Sequence, residues 1–385
     1  MSENSLRKFI APEYVFGHGA RHLAGQYARK LGARKVLLVT DPGVIAAGWA
    51  RDVITTLQEE LIPYATFSTV SPNPRSEEVM QGAELYASER CNMIIAIGGG
   101  SPMDCAKGIG IVATHGRNVL EFEGVDQVSL PIPPLICIPT TAGTSADVSQ
   151  FAIISDRTEK VKIAIVSKAV VPDLALIDPQ TLVSMSPYLS ACTGMDALTH
   201  AIEAFVSNAH SPMTDIHALE AIRLLAQHLI PSVNNPHDLE LRGKIMLASL
   251  QAGLAFSNAI LGATHAMAHS LGGYLDLPHG ECNAILLDHV VAFNLAAAAE
   301  RFDAISSALG IELQGLSREQ RNTALLAKLR DIKQQTGISR PLGELGVKST
   351  DLKRLSKHAV ADACLVTNPR SATPRDIETI YEEAL

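Results

Sequence analysis

Three apolar runs constrain this chain more than any other feature: Lys35-Val-Leu-Leu-Val-Thr40, Asn92-Met-Ile-Ile-Ala-Ile97 and Leu135-Ile-Cys-Ile138. Each is unbroken rather than alternating, so a strand built from it is covered on both faces, the pattern of a parallel sheet between helices. Helical spacing lies between and around these runs, at Arg21 to Leu31, Ile54 to Glu60, Ser76 to Arg90 and Pro102 to Val112. Glu77 and Glu78 sit in the first turn of the third of these, and Pro102 opens the fourth, where its missing N–H costs nothing. Tyr64 to Phe67 adds a short strand. Strands alternating with helices predict an α/β domain. Further on come three shorter strands, Phe151–Ile154, Lys162–Ile165 and Leu174–Ile177, with a hairpin turn at Asp156 to Lys160. Together these three predict a β extension of the first domain.

Beyond Ser186-Pro187 the β-rich runs stop and helical spacing takes over. Helices are expected at about 194–207, 214–229, 239–256, 262–271, 283–298, 300–308, 318–336, 351–361 and 374–384. The chain of 385 residues is long enough for two cores. The reading is an α/β nucleotide-binding domain over 1–185 and an all-helical domain over 186–385. Apolar content of 47% and charged content of 19% are those of a globular protein, and a net charge of −8 gives no reason to expect nucleic acid or an anionic membrane as partner. The start, Met-Ser-Glu-Asn-Ser-Leu-Arg-Lys, lacks the apolar core of a secretion signal, and no run reaches membrane-spanning length. The six cysteines are scattered without a Cys-x-x-Cys pair. That usage predicts reduced thiols and a cytoplasmic protein.

Each of the three runs ends in small or polar residues: Asp41 after the first, Gly98-Gly99-Gly100-Ser101 after the second, Thr140-Thr141-Ala-Gly-Thr144 after the third. Ligands of open α/β sheets gather at the carboxyl ends of strands, so the three ends suit one crevice. Glycines opening a helix let backbone N–H groups approach a diphosphate, and the threonines add hydroxyl donors. Asp41 suits the hydroxyls of an adenosine ribose and would repel a 2′-phosphate, favouring NAD over NADP. A tight turn without ligand is the competing reading, because no G-x-G-x-x-G is present and the acidic residue precedes the glycines. Lys162, in an otherwise apolar strand, is either an edge residue reaching for water or a cofactor contact.

In the helical half, Asp196 and His200 are four residues apart, as are His265 and His269, and His279 follows in a loop. At that spacing each pair projects from one helix face. The surrounding sequence is rich in Gly, Ala and Leu, which predicts burial, and buried imidazoles and carboxylates need partners or a metal. Ordinary helix and cap residues and a divalent-cation site both fit the spacing alone.

The segments Gly98-Gly-Gly-Ser-Pro-Met-Asp-Cys-Ala-Lys107, Pro139-Thr-Thr-Ala-Gly-Thr144, Gly194-Met-Asp-Ala-Leu-Thr-His-Ala-Ile-Glu-Ala204, Gly262-Ala-Thr-His-Ala-Met-Ala-His-Ser-Leu-Gly-Gly273, Leu277-Pro-His-Gly-Glu281 and Thr367-Asn-Pro-Arg370 resemble the iron-dependent (group III) alcohol dehydrogenases. The match runs over essentially the full length and keeps the motif order. It implies an N-terminal α/β dinucleotide-binding domain and an all-α C-terminal domain, the dehydroquinate synthase-like fold, with a metal in the cleft between. By position, Asp196, His200, His265 and His279 correspond to the metal ligands and His269 to the histidine near substrate and nicotinamide. Asp41 corresponds to the ribose contact, Gly98 to Ser101 to the diphosphate loop, and Thr140, Thr141 and Thr144 to its companion turn. Asp104, Ser149 and Lys162 join the cofactor contacts. Members are commonly dimers or larger.

Two departures stand out. Ser145-Ala-Asp-Val-Ser149 replaces the familiar Gly-Ser-Glu-Val-Thr, shortening one acidic side chain, and Phe151 stands where a lactaldehyde-type member has an amide. The second suggests a more apolar pocket, for simple aliphatic alcohols. The implied reaction is NAD-dependent oxidation of a primary alcohol, or reduction of an aldehyde. A single Fe(II), with Zn(II) possible, polarises the substrate oxygen, and His269 handles the proton. The alternatives are a zinc-dependent polyol dehydrogenase, a dehydroquinate-synthase-like lyase, and a metal-binding structural module without catalysis. The few basic residues near the histidines speak against the lyase, and the complete ligand set against the structural module.

Overall fold

The structure is a computed structural model describing residues 8–385, so the start of the chain, read above for a missing signal, lies almost wholly outside the described residues. The first half runs β1 (Glu13–Phe16), α1 (Ala24–Lys30), β2 (Val36–Val39), α2 (Pro42–Ala47), α3 (Trp49–Glu59), β3 (Tyr64–Phe67), α4 (Ser76–Ser88), β4 (Met93–Gly98), α5 (Gly100–His115), β5 (Gly124–Val125), β6 (Leu135–Pro139), β7 (Phe151–Asp156), β8 (Val161–Val166) and β9 (Leu174–Ile177). Six strands form one parallel sheet in the order β1-β9-β6-β4-β2-β3. The three solid runs became β2, β4 and β6, and every residue of these strands is buried. Val39 lies beside Ala96 and Gly98 beside Pro139, so these strands end side by side. The chain goes outward from β2 to β3 and then returns to β4 on the other side of β2. That reversal leaves a crevice at the strand ends.

The β extension is only partly as expected. β7 and β8 form an antiparallel hairpin that joins β5 in a separate sheet, but β9 enters the main sheet between β1 and β6. Leu174-Ala-Leu-Ile177 is a fully buried solid run like the other core strands, and two-sided burial places it in the covered sheet. The edge strand β1 was not anticipated, because a largely exposed four-residue strand carries no apolar pattern.

The second half is helical: α6 (Pro187–Val206), α7 (Pro212–Asn234), α8 (Leu239–Ala259), α9 (Ala263–Leu275), α10 (His279–Asn294), α11 (Ala299–Ala308), α12 (Arg318–Gln335), α13 (Leu352–Ala361) and α14 (Pro374–Ala384). α6 starts earlier than its spacing predicts, because Ser186 Oγ accepts from Leu189 N at 3.1 Å and Pro187 fits the first helical turn. It is buried continuously from Ser190 to Val206, so Asp196, His200 and Glu203 on it must find partners inside the protein. α10 also starts early, and His279 is its first residue rather than a loop residue. Among the described residues, no single helix is long and apolar enough to cross a membrane.

Candidate active site

The turn from β4 into α5 explains the glycine run. Gly98 has φ +158°, and a Cβ there would come within 2.5 Å of the Pro102 ring. A Cβ on Gly100 would meet the Thr144 side chain at 2.9 Å, so the threonine turn packs directly on the glycine backbone. Among the described residues no side chain caps α5. The N–H groups of its first turn therefore face outward unclaimed, with the positive end of the helix behind them, ready for an anion. Asp41 stands at the carboxyl end of β2, where its Oδ1 accepts from Val44 N at 2.9 Å and caps α2.

The crevice opens into a cleft of about 740 Å³, mouth included, where the two halves of the chain meet. Gly100, Ser101, Asp104, Thr144, Ser149 and Lys162 line it from the α/β side, and Asp196, His200, His265, His269 and His279 from the helical side. Asp41, Gly98, Gly99, Thr140 and Thr141 do not line it; they sit along the strand ends beyond it. Burial raises the Asp104 carboxyl to about 7 against the pull of Lys107 and Lys162. Lys162 is drawn down by burial, and its Nζ donates to Asn73 Oδ1 at 2.7 Å. Lys107 is fully buried and donates to the carbonyls of Ser149 at 2.8 Å and Phe151 at 2.7 Å, tying the loop that carries both to α5.

The helical wall is a cage of polar atoms. Asp196 Oδ1 lies 3.6 Å from Nε2 of both His265 and His279. These three can share one cation, as each offers a ligand atom within 4.8 Å of the others. His200 stands beside this trio, stacked on Phe256 at 4.2 Å and on His265 at 4.4 Å, with Nδ1 on the Gly143 carbonyl at 3.1 Å. His265 Nδ1 bonds to Glu203 Oε2 at 2.6 Å. With Nδ1 engaged on both rings, Nε2 is the nitrogen left open to a cation. Among the described residues, His279 Nδ1 is buried without a hydrogen-bond partner.

The electrostatics fit a cation. Burial would raise the Asp196 carboxyl, but His200, His279 and His265 outweigh it and hold it far below the carboxylate range. Burial lowers His200 to about 4 and carries His279 well below its ordinary value, so both rings are neutral, the form that binds metal. His265 goes the other way: burial opposes charge there, but Asp196 and Glu203 on either side raise its pKa, so the centre of the cage favours positive charge. Imidazole and carboxylate donors of this kind suit Fe(II) or Zn(II). His269 is set apart from the cage. Its Nδ1 bonds to Asp362 Oδ2 at 2.8 Å, and its ring stacks on His279 at 5.3 Å. Phe151, Ile153, Phe256 and Leu261 give the cleft an apolar side.

Comparison with known proteins agrees with this architecture. Residues 11–179 match the iron-containing alcohol dehydrogenase family, and residues 190–385 match the C-terminal part of the Fe-containing alcohol dehydrogenase family. The chain belongs to the iron-containing alcohol dehydrogenases. It is 38% identical to the NAD-dependent methanol dehydrogenase of Bacillus methanolicus, covering 98% of this chain and 99% of that one. It is 39% identical to the 1,3-propanediol dehydrogenase of Klebsiella pneumoniae, covering 96% of each. A crystal structure of a 1,3-propanediol oxidoreductase superposes with a TM-score of 0.96 at 38% identity, over 99% of this chain and 100% of that one.

In this alcohol dehydrogenase, sequence reasoning missed Asn73, Lys107, Glu203, Asn283 and Asp362. Glu203 carried a usable signal: with Asp196 and His200 it completes a polar stripe at helical spacing on an apolar helix. Asp362 carried none, because it reaches His269 from 93 residues away.

Proposed function

We propose that this protein interconverts small primary alcohols and aldehydes by hydride exchange with NAD, at a single iron held by Asp196, His200, His265 and His279. The observation that carries the proposal is the convergence of these four side chains on the cleft that the first turn of α5 also lines. A divalent cation held by these residues would supply Lewis-acid polarisation of the substrate oxygen, and a bound NAD would supply the hydride acceptor or donor. The chain's own residues do the rest. The open N–H groups at Gly100 and Ser101 and the Thr144 hydroxyl hold the diphosphate. Asp362 fixes the His269 tautomer, so that Nε2 is the atom that holds or moves the substrate's proton. Phe151, Ile153, Phe256 and Leu261 exclude water and favour simple aliphatic substrates over diols. Iron is preferred to zinc, and an alcohol dehydrogenase to a polyol dehydrogenase, because the matched family is iron-containing.

The division falls near residue 185, after β9 and before α6. All six cysteines are free and buried, which supports work in the reducing cytoplasm. A homodimer or larger assembly is part of the proposal, and the outer edge of β1, with Tyr14 and Phe16 exposed and no strand paired to it among the described residues, is a sheet edge suited to it. The test of the activity is alcohol oxidation by anaerobically prepared enzyme before and after chelation and iron restoration. Activity should vanish on chelation and return with iron; full activity in a metal-free sample rejects the site.

A second test concerns Asp41. Asp41→Asn keeps an oxygen for the Val44 N–H and removes the charge. The preference for NAD over NADP, measured as the ratio of kcat/KM values, should fall by about tenfold or more. An unchanged ratio rejects the ribose assignment.

A further inference from the structure

The cage contains a fifth side chain. Asn283, in the second turn of α10, is fully buried, and its Nδ2 donates to Asp196 Oδ1 at 2.7 Å. The same nitrogen lies 3.1 Å from His265 Nε2 and 3.2 Å from His279 Nε2. It thus touches all three atoms that can share a cation. The orientation of the amide follows from the first contact, since a carboxylate oxygen at 2.7 Å accepts from an NH2 group and repels a carbonyl. Among the described residues, Asn283 Oδ1 is buried with no partner at all. The amide therefore leaves one of its own polar atoms unsatisfied in order to place its donor among the ligand atoms. An imidazole Nε2 has one lone pair, so an NH2 donor and a cation cannot both serve His279 Nε2, whereas the Asp196 oxygen has lone pairs for both.

We infer that Asn283 is a placeholder for the metal: its amide holds the His279 lone pair that a cation would use and must be displaced when a cation enters. The inference rests on the proposed metal site, and it goes beyond it in assigning a residue to the unloaded state. In the metal-free protein the two amide hydrogens pair with Asp196 Oδ1 and with the neutral His279 Nε2. On loading, the contact to His279 Nε2 is given up, which weakens metal binding. This differs from a residue that merely orients ligands, because removing an orienting residue weakens metal binding and removing a placeholder strengthens it.

The experiment compares full-length wild type, Asn283→Leu and Asn283→Asp, each stripped with a chelator and then titrated with Zn(II), a redox-inert probe. Melting temperature is read at each end point, and affinity is read by competition with a chromophoric chelator. Stripped Asn283→Leu should melt about 4 °C or more below stripped wild type, since buried acceptors lose their donor. The zinc-saturated forms should differ by less, and zinc affinity should rise about tenfold. Asn283→Asp keeps the shape of the side chain if the leucine variant does not fold. It sets a second carboxylate against Asp196, so its stripped form should be less stable and its zinc affinity higher than wild type. Lower zinc affinity in the variants, or stripped variants as stable as stripped wild type, overturns the placeholder. Wild type that binds no zinc and shows no melting shift overturns the metal site itself, and the inference with it.

Discussion

Asp196→Asn should lower kcat/KM for alcohol oxidation by at least about a thousandfold and leave the purified protein nearly free of metal. Asp196 is the sole anion among the four proposed ligands. Its carboxylate sits in a buried pocket beside His200, His265 and His279. An amide at this position keeps the shape and a neutral oxygen but gives up the charge that offsets a buried divalent cation, and the donor set becomes wholly neutral. The cofactor side should be untouched, because the first turn of α5 and the threonine turn lie in the other half of the chain. NAD binding by calorimetry should therefore stay within about threefold of wild type. The decisive measurement is metal content and rate on the same anaerobic sample. A variant that keeps its full complement of iron and turns over near the wild-type rate rejects Asp196 as a ligand.

Much of this arrangement was readable from local pattern. β2, β4 and β6 were legible because two-sided burial demands unbroken apolar runs, and the ends of those runs marked the crevice. Asp196 with His200, and His265 with His269, were legible because a four-residue spacing on a buried helix leaves a ligand-like pair. Spacing does not tell which of these reach one point: His200 and His269 both stand outside the trio of Asp196, His265 and His279, and His269 turns its Nδ1 to Asp362. Position β9 depended on sheet pairing with strands far away in sequence, and nothing in Leu174–Ile177 says whether it extends a hairpin or completes the main sheet. Side chains that support the site from a distance were the hardest to see. Glu203 meets His265 across 62 residues and Asn283 meets Asp196 across 87, so no local period could join them. Asp41 shows a different limit: a strand-end acid was foreseen, but not that one of its oxygens caps α2.

Glu203 makes the second large prediction, because it does two tasks with two oxygens. Oε1 accepts from Thr264 N at 2.6 Å, while Oε2 accepts from Gly262 N at 3.1 Å and from His265 Nδ1 at 2.6 Å. The carboxylate thus caps the start of α9, together with Asn368, whose Oδ1 accepts from Ala263 N at 3.1 Å, and fixes the ring of His265 so that Nε2 is free to bind. Glu203→Gln replaces one oxygen by an NH2 donor. If the NH2 faces Thr264, two donors oppose each other in a buried site. If it faces His265, the ring must accept at Nδ1 and carry its proton on Nε2, the tautomer that cannot bind a metal. Iron affinity should fall about 10- to 100-fold, and the folded protein should lose about 3 kcal/mol, since a buried charge pair and helix-start hydrogen bonds are broken together. Raising the iron concentration should restore part of the rate lost in Glu203→Gln but almost none of that lost in Asp196→Asn. This difference separates a residue that orients a ligand from a ligand itself. Equal iron affinity in Glu203→Gln and wild type would show that His265 does not depend on Glu203 for its orientation.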